Sequence, residues 1–211
     1  MNKIIECVPN FSEGRDFGKI AKIVGEIEKV KGVKLLNVES DADYNRTVVT
    51  FAGKPEAVRD AAFYAIEMAA EVIDMSHHKG AHPRIGATDV CPFVPVSNAT
   101  MDECVQIART LGKEVGERLG IPVYLYGEAA VIPERHILPD IRKGEYEGLP
   151  EKLKDEKWRP DYGPNEFNEN VRRTGATVIG AREFLIAYNV NLDAQDIQIA
   201  NKISGIVRAS G

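Results

Sequence analysis

The sequence predicts an α/β sandwich built on a mixed β-sheet. Short runs rich in β-branched residues alternate with longer segments whose apolar residues recur three and four positions apart, the pattern of strands exchanging with amphipathic helices. Of the 211 residues 44% are hydrophobic, enough for a packed core in one large domain or two small ones. No self-similar period and no low-complexity tract divides the chain, which excludes a repeat architecture.

Lys3–Val8 reads as a short strand that Pro9-Asn10 ends. Arg15–Val30 has Phe17, Ile20, Ile23, Val24, Ile27 and Val30 at helical spacing, with Gly32 as the stop. Val33–Val38 and the β-branched Arg46–Ala52 are strands joined by a polar connection. Pro55 suits a helix first turn, so Ala57–Met75 is a long Ala-rich helix. Residues 77–89 carry two glycines and a proline without any period and form a loop. Val90–Val96 is a strand whose two prolines predict an edge or bulged position. Asn98 or Thr100 caps a helix over Met101–Leu119, and Pro122–Tyr126 is a buried strand. From Gly127 to Arg173 the chain is Pro-, Gly- and charge-rich with at most short helices, and connections of that length usually have a function. Thr177–Ile179 and Phe184–Val190 read as strands, and Asp193 caps a last helix. The composition break before Phe184 places the start of a second subdomain there.

Lys plus Arg number 27 against 32 Asp plus Glu, a net charge of −5. That excludes a protein living on nucleic-acid phosphates while leaving room for a local basic funnel. No run approaches the apolar length of a membrane span, and the first residues lack a signal-peptide apolar region, so the expected location is cytoplasmic. Cys7, Cys91 and Cys104 are odd in number and lack a CxxC spacing, which suits small buried thiols in a reducing compartment.

Three of the four histidines, His77, His78 and His82, crowd one loop. Metal ligation is disfavoured, because Gly80 and Pro83 prevent the helix that would align His78 with His82. General acid–base chemistry suits an imidazole better, and His82, held between Gly80 and Pro83 with Arg84 nearby, is the strongest choice. Three solvated loop histidines remain the plain alternative. A second candidate is the loop from Asp161 to Thr177, whose glycines and asparagines suit a backbone that offers N–H and C=O groups to a ligand. Trp158, Tyr162 and Phe167 can supply an aromatic wall, and Arg172 and Arg173 can face a carboxylate; a solvated surface loop is the alternative. Asn10 and Arg46, at strand ends, complete the candidates, Arg46 as a carboxylate binder or a plain charged terminus. No phosphate-loop motif is present, so nucleotide use is not expected.

The segments ECVPNFSEGR, NRTVVTFAG, VIDMSHHKGAHPRIGATDVCPFVPV, VYLYGEAA, LPDIRKGEYEGL and GATVIGAREFLIAYNVNL resemble the glutamate formiminotransferase family from Glu6 to Leu192. The resemblance implies the family's N-terminal subdomain over residues 1–180, with a mixed β-sheet and helices packed on one face. Residues 181–211 are then the beginning of a C-terminal subdomain that is cut short. It also implies a folate-dependent transferase of histidine degradation. Such an enzyme moves a formimino group from N-formimino-L-glutamate to N5 of tetrahydrofolate, which is co-substrate, and uses no metal. His82 falls on the family's catalytic histidine. The folate-binding segment falls on Gly163, Pro164, Asn165, Glu166, Phe167, Asn168, Glu169, Asn170, Val171 and Arg172. Arg46, Arg84 and Asn10 join these as expected substrate contacts, the arginines as carboxylate anchors. Expected partners are the two small substrates, and either a second copy or a separate C-terminal subdomain or cyclodeaminase, with neither nucleic acid nor membrane. Two other readings share these residues: a glutamate N-formyltransferase using 5-formyltetrahydrofolate, and a non-catalytic folate- or partner-binding subdomain.

Overall fold

A computed structural model describes residues 2–185, 192–193 and 196–207. Strands β1 (Ile4–Cys7) and β2 (Asn10–Phe11) share one lane of a single sheet, both lying between β4 (Arg46–Gly53) and β5 (Thr88–Ser97). Pro9-Asn10 therefore interrupts the first strand without ending it. Across the break the ladder is kept by Val49 N donating to Pro9 O at 3.0 Å and Val8 N donating to Pro92 O at 3.3 Å. β3 (Val33–Asp41) pairs β4 on its outer side and runs three residues further than the apolar pattern predicts. Beyond β5 follow β7 (Thr177–Ala181) and then β6 (Val123–Gly127), both parallel to it, whereas every pairing from β3 to β5 is antiparallel. The sheet is thus mixed, as expected.

β5 is an interior strand, so of the two positions its prolines predict, edge or bulged, the edge is excluded and the irregular one is found. The ladder absorbs them through irregular register, with shifts beside Ile4/Ile5 and Asn10/Phe11 and Pro95 facing Ile5.

The three long helices pack on one face. Asp16 caps α1 (Phe17–Lys29), its carboxylate accepting from Gly18 N and Lys19 N at 2.9 and 3.2 Å. α2 (Pro55–Val72) starts on Pro55 and stops earlier than its apolar pattern, because Met75–His77 tightens into a 3₁₀ turn. Thr100, rather than Asn98, caps α3 (Met101–Leu119) in a reciprocal box with Glu103. Ala61, Ala62, Ala65 and Ala69 are fully buried on α2, and their small side chains let α1, α3 and the sheet all approach that helix. One core joins these helices to Ile5, Phe11, Phe51, Phe93 and Ile179 of the sheet.

The irregular stretch after β6 covers the other face of β5, β7 and β6. Its short helices α4 (Leu138–Arg142), α5 (Leu149–Lys152) and α6 (Glu169–Thr174) contribute Ile141, Leu149 and Val171 to a second core around Tyr124, Tyr126 and Val178. Phe184 and Leu185 carry no strand, and 186–190 of the expected strand Phe184–Val190 lie outside the described residues. Helix α7 (Ile197–Val207) is present, and the residue bonded to its first turn is Asp196 rather than Asp193: Asp196 Oδ1 accepts from Gln198 N at 2.8 Å. Among the described residues no helix is long and apolar enough to cross a membrane.

Candidate active site

The loop bearing the histidines is zipped onto the β3–β4 turn. Asn45, at φ 49°, donates its side-chain amide to Lys79 O at 3.0 Å, and Ala81 N donates to Asp43 O at 3.1 Å. Gly80 is required here: a Cβ on it would lie 2.2 Å from Tyr44 O and 2.7 Å from Asn45 Cβ. The loop is therefore set at backbone precision beside the start of β4, where Arg46 emerges.

The three histidines diverge. His77 is exposed and sits 3.4 Å from Asp74. His78 is half-buried and structural: Arg84 Nε, which can only donate, reaches its Nδ1 at 3.1 Å, so its Nε2 carries the proton and donates to Asn45 O at 3.0 Å. Burial lowers the pKa of His78, which keeps it neutral. No group of three or more His, Cys, Asp or Glu side chains with metal-holding geometry occurs among the described residues.

The sequence places Arg84 at the substrate. Its side chain is instead 6% exposed and fully engaged, its guanidinium donating to Glu147 at 2.7 and 2.8 Å and to Glu145 at 3.0 Å. It clamps the histidine loop to the chain after α4, because a buried guanidinium needs its forks filled.

His82 stands apart from this scaffold. Together with Asn10 and Arg46 it lines a cavity of about 420 Å³ at the border between the covered and uncovered parts of the sheet's second face. The walls are completed by Val90, Pro92 and Tyr126 of the sheet, Leu138, Pro139 and Arg142 of α4, and Arg182 and Leu185 just past β7. The His82 ring lies 6.2 Å from that of Tyr44, and neither of its nitrogens is hydrogen-bonded among the described residues. Its pKa is pushed down to about 4, first by burial and then by the cations of Arg46 and Arg142. His82 is therefore a neutral imidazole at pH 7 in a cationic cavity, able to accept a proton.

The segment from Gly163 to Arg172 contributes none of the residues lining this cavity. Most of its side chains are occupied locally. Asn168 caps α6, Asn170 donates to Leu119 O and Gly120 O at 2.9 Å, Arg172 grips Glu169, and Val171 is buried in the second core. Gly163 has φ 82° where the chain passes Ile121 O. Pro164 is half-buried, and Asn165 and Glu166 are exposed. Phe167 lies against Tyr146, with ring centroids 6.1 Å apart. The expected aromatic wall is dispersed, since Trp158 covers Lys152 Nζ and Tyr162 packs against Gly112 and Gly116 of α3. Arg173 reaches only Glu71 O.

Arg142, Arg182 and Tyr126 were not anticipated. Their signal was weak: the arginines sit at the ends of α4 and β7, where a charged residue is ordinary, and Tyr126 lies in an apolar strand. The cysteines are inert. All three are buried, burial raises Cys7 well above the usual thiol range, and Cys104 is pushed up to about 11.

Comparison with known proteins converges on one family. The model described as formiminotransferase domain, N-terminal subdomain, matches residues 4–182. The whole chain is similar to a glutamate formimidoyltransferase of Streptococcus pyogenes, at 47% identity over 70% of that protein. A protein of the same name from Thermoplasma acidophilum is 52% identical over 98% of this chain and 67% of the relative. A formimidoyltransferase-cyclodeaminase of Gallus gallus is 53% identical over the whole chain, which spans 38% of it.

Proposed function

Because the chain belongs to the family of formiminotransferase N-terminal subdomains, we propose that it transfers a formimino group from N-formimino-L-glutamate to N5 of tetrahydrofolate, with His82 as general base and then general acid. The observation carrying this is a neutral, unbonded imidazole inside a cationic cavity.

N5 attacks the amidine carbon, forming a carbon–nitrogen bond and a tetrahedral intermediate. His82 takes the proton that N5 loses. The bond from that carbon to the glutamate nitrogen then breaks, and the same imidazole returns the proton to the departing amine. The imino nitrogen travels with the carbon, so atoms and charge balance. The cationic surrounding keeps the free imidazole neutral and makes its protonated form a strong acid towards the departing amine, and the negative charge of a bound carboxylate substrate offsets those cations and restores its basicity for the first transfer. Asn10 lines the same cavity and is placed to orient the substrate. The folate is assigned to the segment from Gly163 to Arg172, where the half-buried ring of Phe167 and the exposed side chain of Glu166 are the groups that would meet it. The shorter relatives and the two-activity relatives both extend beyond the length of this chain, which supports a further subdomain joining residues from 181 onward.

Replacing His82 by Gln tests the assignment. Turnover should fall by about 10²–10⁴-fold while tetrahydrofolate affinity changes little. Undiminished turnover in His82→Gln sinks it.

A further inference from the structure

The cavity beside His82 holds more positive charge than the fold consumes. Three guanidiniums, of Arg46, Arg142 and Arg182, line it. Asp89, buried beneath, is hydrogen-bonded to Arg142, which donates to both its oxygens while Ile85 N adds a third bond at 3.0 Å, and it acts on Arg46 only at longer range. Among the described residues no carboxylate comes within ion-pair distance of Arg46 or Arg182; Glu6 acts on Arg182 only at longer range. The Nε of Arg46 is shut off from solvent and has no hydrogen-bond partner, a state that costs free energy until an acceptor arrives. Arg46 has an unanswered Nε, and Arg182 is met only by neutral oxygens, donating to Glu183 O at 2.9 Å and sitting beside the Tyr126 hydroxyl; with apolar side chains of Val90 and Leu138 in the same cavity, the two charges without a carboxylate partner fit a small molecule with two carboxylates on a short aliphatic spacer.

We infer that Arg46 and Arg182 seat the two carboxylates of an acidic amino-acid substrate, with Arg142, fixed by Asp89, as the cation that positions it against His82. This assigns the selectivity for glutamate over glutamine to two side chains, and it rests on the transfer proposed above. The anchors are then Arg46 and Arg182, and Arg84 is excluded because its forks are already filled by Glu145 and Glu147.

Calorimetric titration with L-glutamate and L-glutamine reads the seat without any turnover. The protein should prefer glutamate by at least about tenfold, the worth of one charge-assisted contact. Arg46→Gln and Arg182→Gln should each weaken glutamate by about ten- to hundredfold, and the variant that loses the γ-carboxylate contact should no longer distinguish glutamate from glutamine. Arg46→Lys and Arg182→Lys keep the charge and lose the fork, so they should still lose several-fold, and they decide the matter if a Gln variant fails to fold. Equal binding of the two amino acids, no glutamate binding at millimolar concentration, or unchanged glutamate affinity in the Arg46 and Arg182 variants overturns the inference. Glutamate discrimination without formimino transfer would sink the proposed function and leave the seat standing. Transfer that depends on His82 without glutamate discrimination would sink the seat alone.

Discussion

Acidifying the free protein should leave His82 neutral long after an ordinary imidazole has charged. Burial and the Arg46 and Arg142 cations hold its pKa at about 4, against the usual 6.5. At pH 5.5 a free histidine is about 90% protonated, whereas a group titrating at 4 is only about 3% protonated. The assay is an NMR titration of the imidazole ring protons, with the His82 signal assigned by its loss in His82→Gln. Arg46→Gln removes the first of the cations, so the His82 midpoint must move up in that variant. The stability consequence has a definite sign. The folded value lies below the unfolded one, so this contribution to stability is complete above about 6.5 and is lost as the pH falls towards 4. A His82 midpoint at or above 6.5, or one unmoved by Arg46→Gln, would refute the electrostatic picture of the cavity.

Two further outcomes follow from the scaffold. Asp89→Ala leaves Arg142 without its buried partner, and should cost about 3–5 kcal/mol in a urea unfolding curve, as expected when one side of a buried ion pair is removed. Gly80→Ala drives a Cβ into Tyr44 O, so the histidine loop must lift from the β3–β4 turn. Turnover should drop by at least about tenfold while the thermal midpoint falls only modestly, because the strain is local to an exposed loop. Retention of full activity in Gly80→Ala would show that loop placement does not govern the site.

Periodicity alone located the three long helices, since their burial depends on residues three and four apart within one segment. Composition points to His82, because Gly80 and Pro83 mark the loop and three histidines in it are an anomaly. Boundaries shifted wherever a distant contact outweighed the local pattern. Pro9 reads as a terminator, yet β4 and β5 continue the lane on both sides of it; the prolines of β5 predict an edge or a bulge, and the register shifts beside an interior strand favour the second. Arg84 and Arg142 show the limit most sharply. Each is one arginine among many in the sequence, and nothing in the neighbouring residues says whether its guanidinium is spent. Arg84 proves to be spent on Glu145 and Glu147, some sixty residues later, and Arg142 on Asp89, some fifty residues earlier. The amino-acid order thus carries the long helices and the family and points to the imidazole, because those depend on neighbours along the chain. Which charges remain free to meet a substrate is a sum over partners brought together by the sheet, and only folding evaluates it.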